Sequence, residues 1–415
     1  MNPRHLLTTL GVVLVAVLLI GQVRQLLADP TVWPPDDFVE YWAAARLALD
    51  GQNTYDGDLL LPLEQAAGRD TDFPIMMWNP PWAIPVILPL GLFPAREAQL
   101  LWFLVNLSAV MFCGDRLWLM FGGDRKRRWI GWGVALGFLP TLFALHSGQI
   151  GPLLLLGVVL FLECTRRGWP ILAGAATLLI AIKPHLAYLL WVAILCDALA
   201  WRRFGMIVGG VLAGLVATLV PLVLNPDLLL QYADTLGNRP PSQWVTPTIG
   251  TVLRLLFGPE QFRLQVIPVV AGLLWFGRYW RKAEWCWEWT PQMPLLVLVS
   301  FVTAPYGAWP FDMVLLLPAI IRLVVEAVEG RPLATYEYPD LEAPPLPETR
   351  TRRWVILAAL LAVNVACLLM NLFQTGSFAF IWVSPVVLLI YLIGTRRQLE
   401  AATTSYLSVR PTVLT

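Results

Sequence analysis

Long apolar runs, cut at intervals by clusters of arginine and lysine, leave this chain few ways to fold. A helix crossing the hydrocarbon core of a bilayer needs about 20 mostly apolar residues, with a range of roughly 17 to 25. Stretches near that length fall at 6–27, 97–120, 129–146, 150–165, 169–182, 184–200, 204–224, 262–277, 291–304, 311–328, 354–373 and 379–395. The expectation is an all-α polytopic membrane protein with about twelve transmembrane helices, forming one integral membrane domain over 1–415. Only 14% of the side chains are charged, against about 25% in a soluble domain, so lipid is the expected solvent. Twenty Trp and 34 Pro agree, because Trp gathers at membrane interfaces and Pro is tolerated in membrane helices.

The basic clusters orient the expected helices. Arg4, Arg125-Lys126-Arg127-Arg128, Arg166-Arg167, Arg202-Arg203, Arg278 with Arg281-Lys282, Arg350 with Arg352-Arg353, and Arg396-Arg397 fall in alternate connections. By the positive-inside rule these connections and both termini are cytoplasmic. The first run resembles a secretory signal, but no small-x-small cleavage site precedes Asp29, and it reads as a retained first helix. Between residues 28 and 95 stand ten acids and two basic residues, Arg46 and Arg69, which places this long first loop outside. That assignment requires the apolar stretch 80–93 not to cross. Its prolines at 80, 81, 85 and 89 suit a re-entrant or interfacial segment. The loop 225–261 and the turn 305–311 also face outward. The cytoplasmic connection 329–353, rich in Pro and Glu, reads as a linker to a C-terminal helix pair at 354–395.

Several function classes drop out. A net charge of +1 supplies no basic face for nucleic acid. The five cysteines share no loop, so no disulfide framework or metal cluster is expected. Asp56-Gly57-Asp58 and Asp70-Thr71-Asp72 match the Asp-x-Asp of metal-nucleotide glycosyltransferases, but in a loop so acidic such matches arise by chance.

The segment Asp36-Asp37-Phe38-Val39-Glu40-Tyr41-Trp42 puts carboxylates and aromatics beside the membrane. A helix starting near Asp37 places Phe38, Tyr41, Trp42 and Ala45 on one face, and Gly51 ends it. From spacing alone, Asp37 is equally well a helix cap or a reactive carboxylate.

The order of short motifs carries a resemblance. Asp37-Phe38-x-x-Tyr41, then Ala44-Ala45, Gly51 and Tyr55-Asp56, resembles the start of glycosyltransferase family 87. Asn79-Pro80-Pro81 with Pro89-Leu90 and Phe93-Pro94 follows, and then Gly148-Gln149-Ile150-Gly151, Arg166-Arg167-Gly168, Leu172-Ala173-Gly174 and Ile182-Lys183-Pro184. Farther on, Pro305-Tyr306 and Phe311-Asp312 also resemble it, while the last hundred residues add nothing. The resemblance implies a GT-C fold and an inverting transfer from a polyprenyl-phosphate sugar, with no cofactor. The family includes mannosyltransferases that build phosphatidylinositol mannosides outside the cytoplasmic membrane. It also implies a general base at the aspartate of the Asp-hydrophobic-x-x-Tyr pattern, which is Asp37 here, with Asp36 adjacent.

Such chemistry needs a carboxylate to take the proton of an acceptor hydroxyl and a cation to steady the departing phosphate. Lys183, interrupting an apolar stretch, is the expected phosphate partner, with snorkelling as the plainer reading. His185 and His146 lie at expected outward helix ends, and Arg239 stands in the second outer loop. Tyr41, Asn79, Gln149, Tyr306 and Asp312 complete the expected substrate-binding set, although Asp312 also reads as a helix cap. Trp78, Trp82, Tyr306 and Trp309 could stack on a sugar or anchor the interface. The expected partners are a polyprenyl-phosphate sugar donor, an envelope glycolipid or glycan acceptor, and the bilayer of a bacterial inner membrane. A transporter or flippase of a lipid-linked precursor is the alternative. Transporters, however, place ionisable groups within broken helices at mid-membrane, and here most acids sit in a loop.

Overall fold

The computed structural model describes residues 31–238, 244–283, 287–330 and 350–395, with isolated positions 17, 21, 22, 25 and 29 before them. The first expected span, Arg239 and most of the 329–353 linker lie outside the described residues. Among the described residues the chain is helical and has no strand. It divides into two compact units: Met1–Val105 with Ser147–Gln149 and Ala217–Thr235, and Asn106–His146 with Ile150–Val216 and Leu236–Thr415.

The first unit is built around α1 (Phe38–Leu49), an Ala-rich helix that ends where Gly51 turns left-handed at φ 66°. The Gly51 and Gln52 amides close the turn on the carbonyls of Ala48 and Leu47, as expected of a glycine after a helix end. The expectation of a single buried face was too narrow: ten of the twelve residues of α1 are buried. The Pro-rich stretch supplies cover. It forms three short pieces, Pro81–Ala83, Ile84–Ile87 and Leu88–Leu92, and packs against α1. A Cβ on Gly91 would stand 2.8 Å from the Ala45 carbonyl carbon. The Trp42 indole donates to Phe93 O at 3.0 Å and Arg46 to Gly91 O at 2.8 Å. Twelve residues of such helix reach roughly 20 Å, short of the ~30 Å hydrocarbon core.

Helix α2 (Gly57–Ala66) is capped by Asp56, whose carboxylate accepts the Asp58 amide at 2.9 Å. The first Asp-x-Asp match is therefore a helix cap. Glu64, fully buried, pairs with Arg69 at 2.7 Å and accepts the Ile75 amide, folding the loop back on itself. Helix α3 (Ala95–Met120) starts in this unit, where Arg96 and Gln99 donate to the carbonyls of Trp33 and Pro34 and fix the approach to Asp36.

In the second unit, α4 (Arg128–Gly137) and α5 (Leu139–His146) form one bent pair, turned by 65°. A break between two apolar helices frees backbone groups that must find partners. The Asn364 amide supplies both, accepting Leu139 N–H at 2.7 Å and donating to Gly137 O at 2.8 Å. Helices α6 (Gly151–Arg166) and α7 (Pro170–Ile180) pack on each other. Glycines at 174 and 209 let α7 meet the helix Gly205–Leu224 backbone to backbone, the small-residue packing typical of membrane helices. Among the described residues five helices are long and apolar enough to cross a membrane: Ala95–Met120, Pro184–Trp201, Gly205–Leu224, Thr351–Leu372 and Ser377–Thr395; counting the bent pair makes six. The remaining expected stretches within the described residues are helical but shorter or less apolar, as with α6, whose 16 residues are mostly buried in protein.

Candidate active site

In the first unit, α1 begins against the turn that carries Ser147-Gly148-Gln149. The Phe38 amide donates to Ser147 O at 2.9 Å. Gly148 sits at φ 71°, where a Cβ would stand 2.6 Å from the Phe38 Cβ, so only glycine lets the turn lie so close to the helix start. Trp102 of α3 locks the turn from another side, its indole donating to Gly148 O at 2.6 Å.

This clamp sets Gln149 between two predicted site residues. Its amide Nε2 donates to Asp37 Oδ2 at 2.7 Å, and its Oε1 accepts the Tyr41 hydroxyl at 3.0 Å. A carboxylate accepts only, so the amide orientation is fixed by chemistry: nitrogen to Asp37, oxygen to tyrosine. Tyr41 is 1% exposed, its ring 5.6 Å from that of Trp102. Asp37 occupies the N-cap position of α1 but makes no side-chain cap bond, which sets aside the capping reading of its carboxylate. Asp37 is half-buried. Asp36 is exposed, with its backbone in the left-handed region at φ 45°. The two adjacent acids are therefore not equivalent.

Asn79 enters this unit through its backbone. Its carbonyl accepts the Tyr55 hydroxyl at 3.1 Å, joining two of the motif blocks. Burial, and secondarily the nearby Tyr232, push the Tyr55 phenol well above its ordinary pKa, so it stays a neutral donor.

A second cluster lies in the second unit. Lys183 Nζ meets Asp312 Oδ1 at 2.7 Å, with the lysine side chain 13% exposed and Asp312 completely buried. The ammonium also lies 5.1 Å from the centre of the Phe311 ring. A lysine held this way is not snorkelling to water. Asp312 caps its short helix from the third position, its Oδ2 accepting the Trp309 amide at 3.2 Å, while its other oxygen holds the lysine. Gly151 permits this segment to approach α6, since a Cβ there would lie 3.1 Å from Phe311 O. His185 stacks on Tyr306 with ring centres 4.6 Å apart, and Trp244 and Phe262 each approach Tyr306 at 6.1 Å. Burial raises the Tyr306 phenol pKa.

His146 ends α5 with its side chain exposed. Sequence reasoning missed Trp102, Trp244 and Phe262. Trp102 sits inside an apolar run with nothing to mark it, Trp244 lies in a loop where aromatics read as interface anchors, and Phe262 opens an expected apolar span. Among the described residues, no three His, Cys, Asp or Glu side chains gather as a metal site.

Several apolar helices of membrane length mark a multi-pass membrane protein. The sequence matches the model of glycosyltransferase family 87 over residues 78–305, more than half of the chain, and the chain belongs to that family. It is accordingly a membrane glycosyltransferase. No curated protein and no solved structure gives a match. Asp37 and Tyr41 precede the matched stretch and Gln149 lies within it, so the hydrogen bonds of Gln149 tie them to the family core.

Proposed function

We propose that the protein transfers a hexose or pentose, mannose being the first choice, from a polyprenyl-phosphate donor to an envelope glycolipid or glycan. The reaction takes place at the outer face of a bacterial inner membrane. Asp37 is the general base. The acceptor hydroxyl gives its proton to the Asp37 carboxylate as its oxygen bonds to the anomeric carbon. The bond from that carbon to the phosphate oxygen breaks, and polyprenyl monophosphate departs with the electron pair. One displacement from the rear inverts the anomeric configuration.

The observation that carries this reading is the Asp37–Gln149 contact at 2.7 Å. A base must be held still in one orientation, and Gln149, itself fixed by Tyr41, can do that for Asp37. A carboxylate offers about four lone-pair sites, more than the amide of Gln149 occupies.

Lys183 is assigned the donor phosphate. Asp312 fixes the position of its ammonium. A fixed cation offsets the charge that grows on the leaving phosphate. The His185–Tyr306 pair, with Trp244 and Phe262, forms an aromatic wall suited to a sugar face or an isoprenoid chain. Asn79, His146 and Arg239 remain proposed substrate contacts on the strength of sequence position.

The test is turnover by purified protein in nanodiscs, supplied with synthetic polyprenyl-phosphate sugars and a glycolipid acceptor. Release of polyprenyl phosphate together with an inverted glycoside is expected. Transfer from a sugar nucleotide instead, with polyprenyl-phosphate sugars inert, would contradict the proposal.

A further inference from the structure

At the ends of α3 and α6 in the second unit lies a cleft of about 760 Å³, lined by none of the residues assigned above to transfer. Four arginines line it, Arg116, Arg125, Arg166 and Arg167, with Asp124, Glu163 and Glu329. The acids are already engaged. Glu163 Oε1 takes Arg116 at 2.6 Å and Arg167 at 2.5 Å, so two guanidinium groups converge on one oxygen. Asp124 accepts the Lys126 amide at 2.9 Å, and Glu329 accepts the Asp124 amide and faces Arg127 at 3.9 Å. Arg125 and Arg166 have no carboxylate partner among the described residues and are exposed.

The cleft wall is built rather than incidental. The Trp118 indole donates to Asp124 O at 3.0 Å, and Gly123 packs on the Trp118 ring so closely that a Cβ would overlap it. Trp169, whose ring centre lies 5.1 Å from the Arg167 guanidinium, is 46% exposed, and Trp129, four residues after Arg125 in the chain, is 62% exposed. Exposed tryptophans at helix ends mark headgroup depth. Arginine forks at that depth match phosphate oxygens in geometry and charge.

We propose that this cleft binds a phosphate ester, the headgroup of an anionic phospholipid being the source nearest to hand. Arg125 and Arg166 supply the charge, and Arg116 and Arg167, tethered by Glu163, shape the floor.

The test uses the full chain in detergent and native mass spectrometry, with dioctanoyl phosphatidylglycerol as probe and dioctanoyl phosphatidylcholine as control. Saturable retention of phosphatidylglycerol alone is expected, weakened about tenfold or more in Arg125→Gln/Arg166→Gln. A basic pair at another helix end, Arg281→Gln/Lys282→Gln, should leave retention unchanged. Inorganic phosphate separates the sources: if it displaces the lipid, the phosphate group itself is recognised, and if it does not, the site takes the whole headgroup. Equal retention of both lipids, or equal loss in both double variants, would overturn the proposal.

Discussion

Gln149 donates an amide hydrogen to Asp37 across 2.7 Å, although 112 residues separate them in the chain. Its carbonyl takes the Tyr41 hydroxyl at 3.0 Å, so the carboxylate at the start of α1 is oriented by a glutamine that is itself oriented. The relay gives Gln149 a role that its place beside an apolar helix does not suggest.

Replacing Gln149 should therefore change how Asp37 titrates. In Gln149→Glu a second carboxylate faces Asp37, and like charge disfavours the ionised form of a base. The acid limb of the kcat/KM profile should move to higher pH. Tyr41→Phe keeps the ring against Trp102 and removes one neutral hydrogen bond, a loss of about 0.5–1.5 kcal/mol or roughly 2- to 10-fold in rate. An unmoved acid limb in Gln149→Glu would detach the glutamine from the base.

Lys183→Met should cost stability as well as donor use, because it removes the ion-pair partner of a completely buried carboxylate. Breaking a buried pair from one side costs about 3–5 kcal/mol. Adding Asp312→Asn removes the buried charge, and the double variant should recover most of its melting temperature while its KM for donor stays raised. Recovery of both would mean that Lys183 serves Asp312 alone.

The parts legible in the sequence were those written locally. The start of α1, its glycine stop and the broken character of the 80–93 stretch follow from caps, spacing and proline within a dozen residues. The helix is buried nearly all round because Gly91 and Phe93 come back over it, and no periodicity within α1 reports that. Asp37 reads as a cap because aspartate before a helix usually is one. Here the Val39 and Glu40 amides, which a capping side chain would take, go to the carbonyls of Asp36 and Asp37, and the carboxylate turns to Gln149. Motif order placed Asp37 and Gln149 in one family pattern without showing that they touch. Likewise Lys183 and Asp312, 129 residues apart, were each picked out singly, and their pairing is tertiary. Apolar content marked the helical stretches, but it does not distinguish a helix facing lipid from one buried in protein, such as α6.

Membrane orientation is open to direct measurement. Asp58 and Lys126 are both exposed, and the arginine and lysine pattern puts them on opposite sides. In a background without the native cysteines, Asp58→Cys should react with an impermeant maleimide on intact cells, and Lys126→Cys only after permeabilisation. Labelling of Lys126→Cys alone on intact cells would invert the topology and remove Asp37 from the outer face.

The central claim is that Asp37 takes the acceptor proton, and Asp37→Asn tests it most directly. Asparagine keeps the size of the side chain and an oxygen for the Gln149 amide, but it cannot serve as the base. Single-turnover transfer from a synthetic polyprenyl-phosphate sugar, measured beside donor binding, should show donor bound normally and transfer slowed by about 10²- to 10⁴-fold. Asp36→Asn, at the exposed neighbour, should transfer within a few-fold of wild type. Near-normal transfer by Asp37→Asn, with Asp36→Asn inactive, would assign the base to Asp36. Near-normal transfer by both would remove the base from this segment altogether.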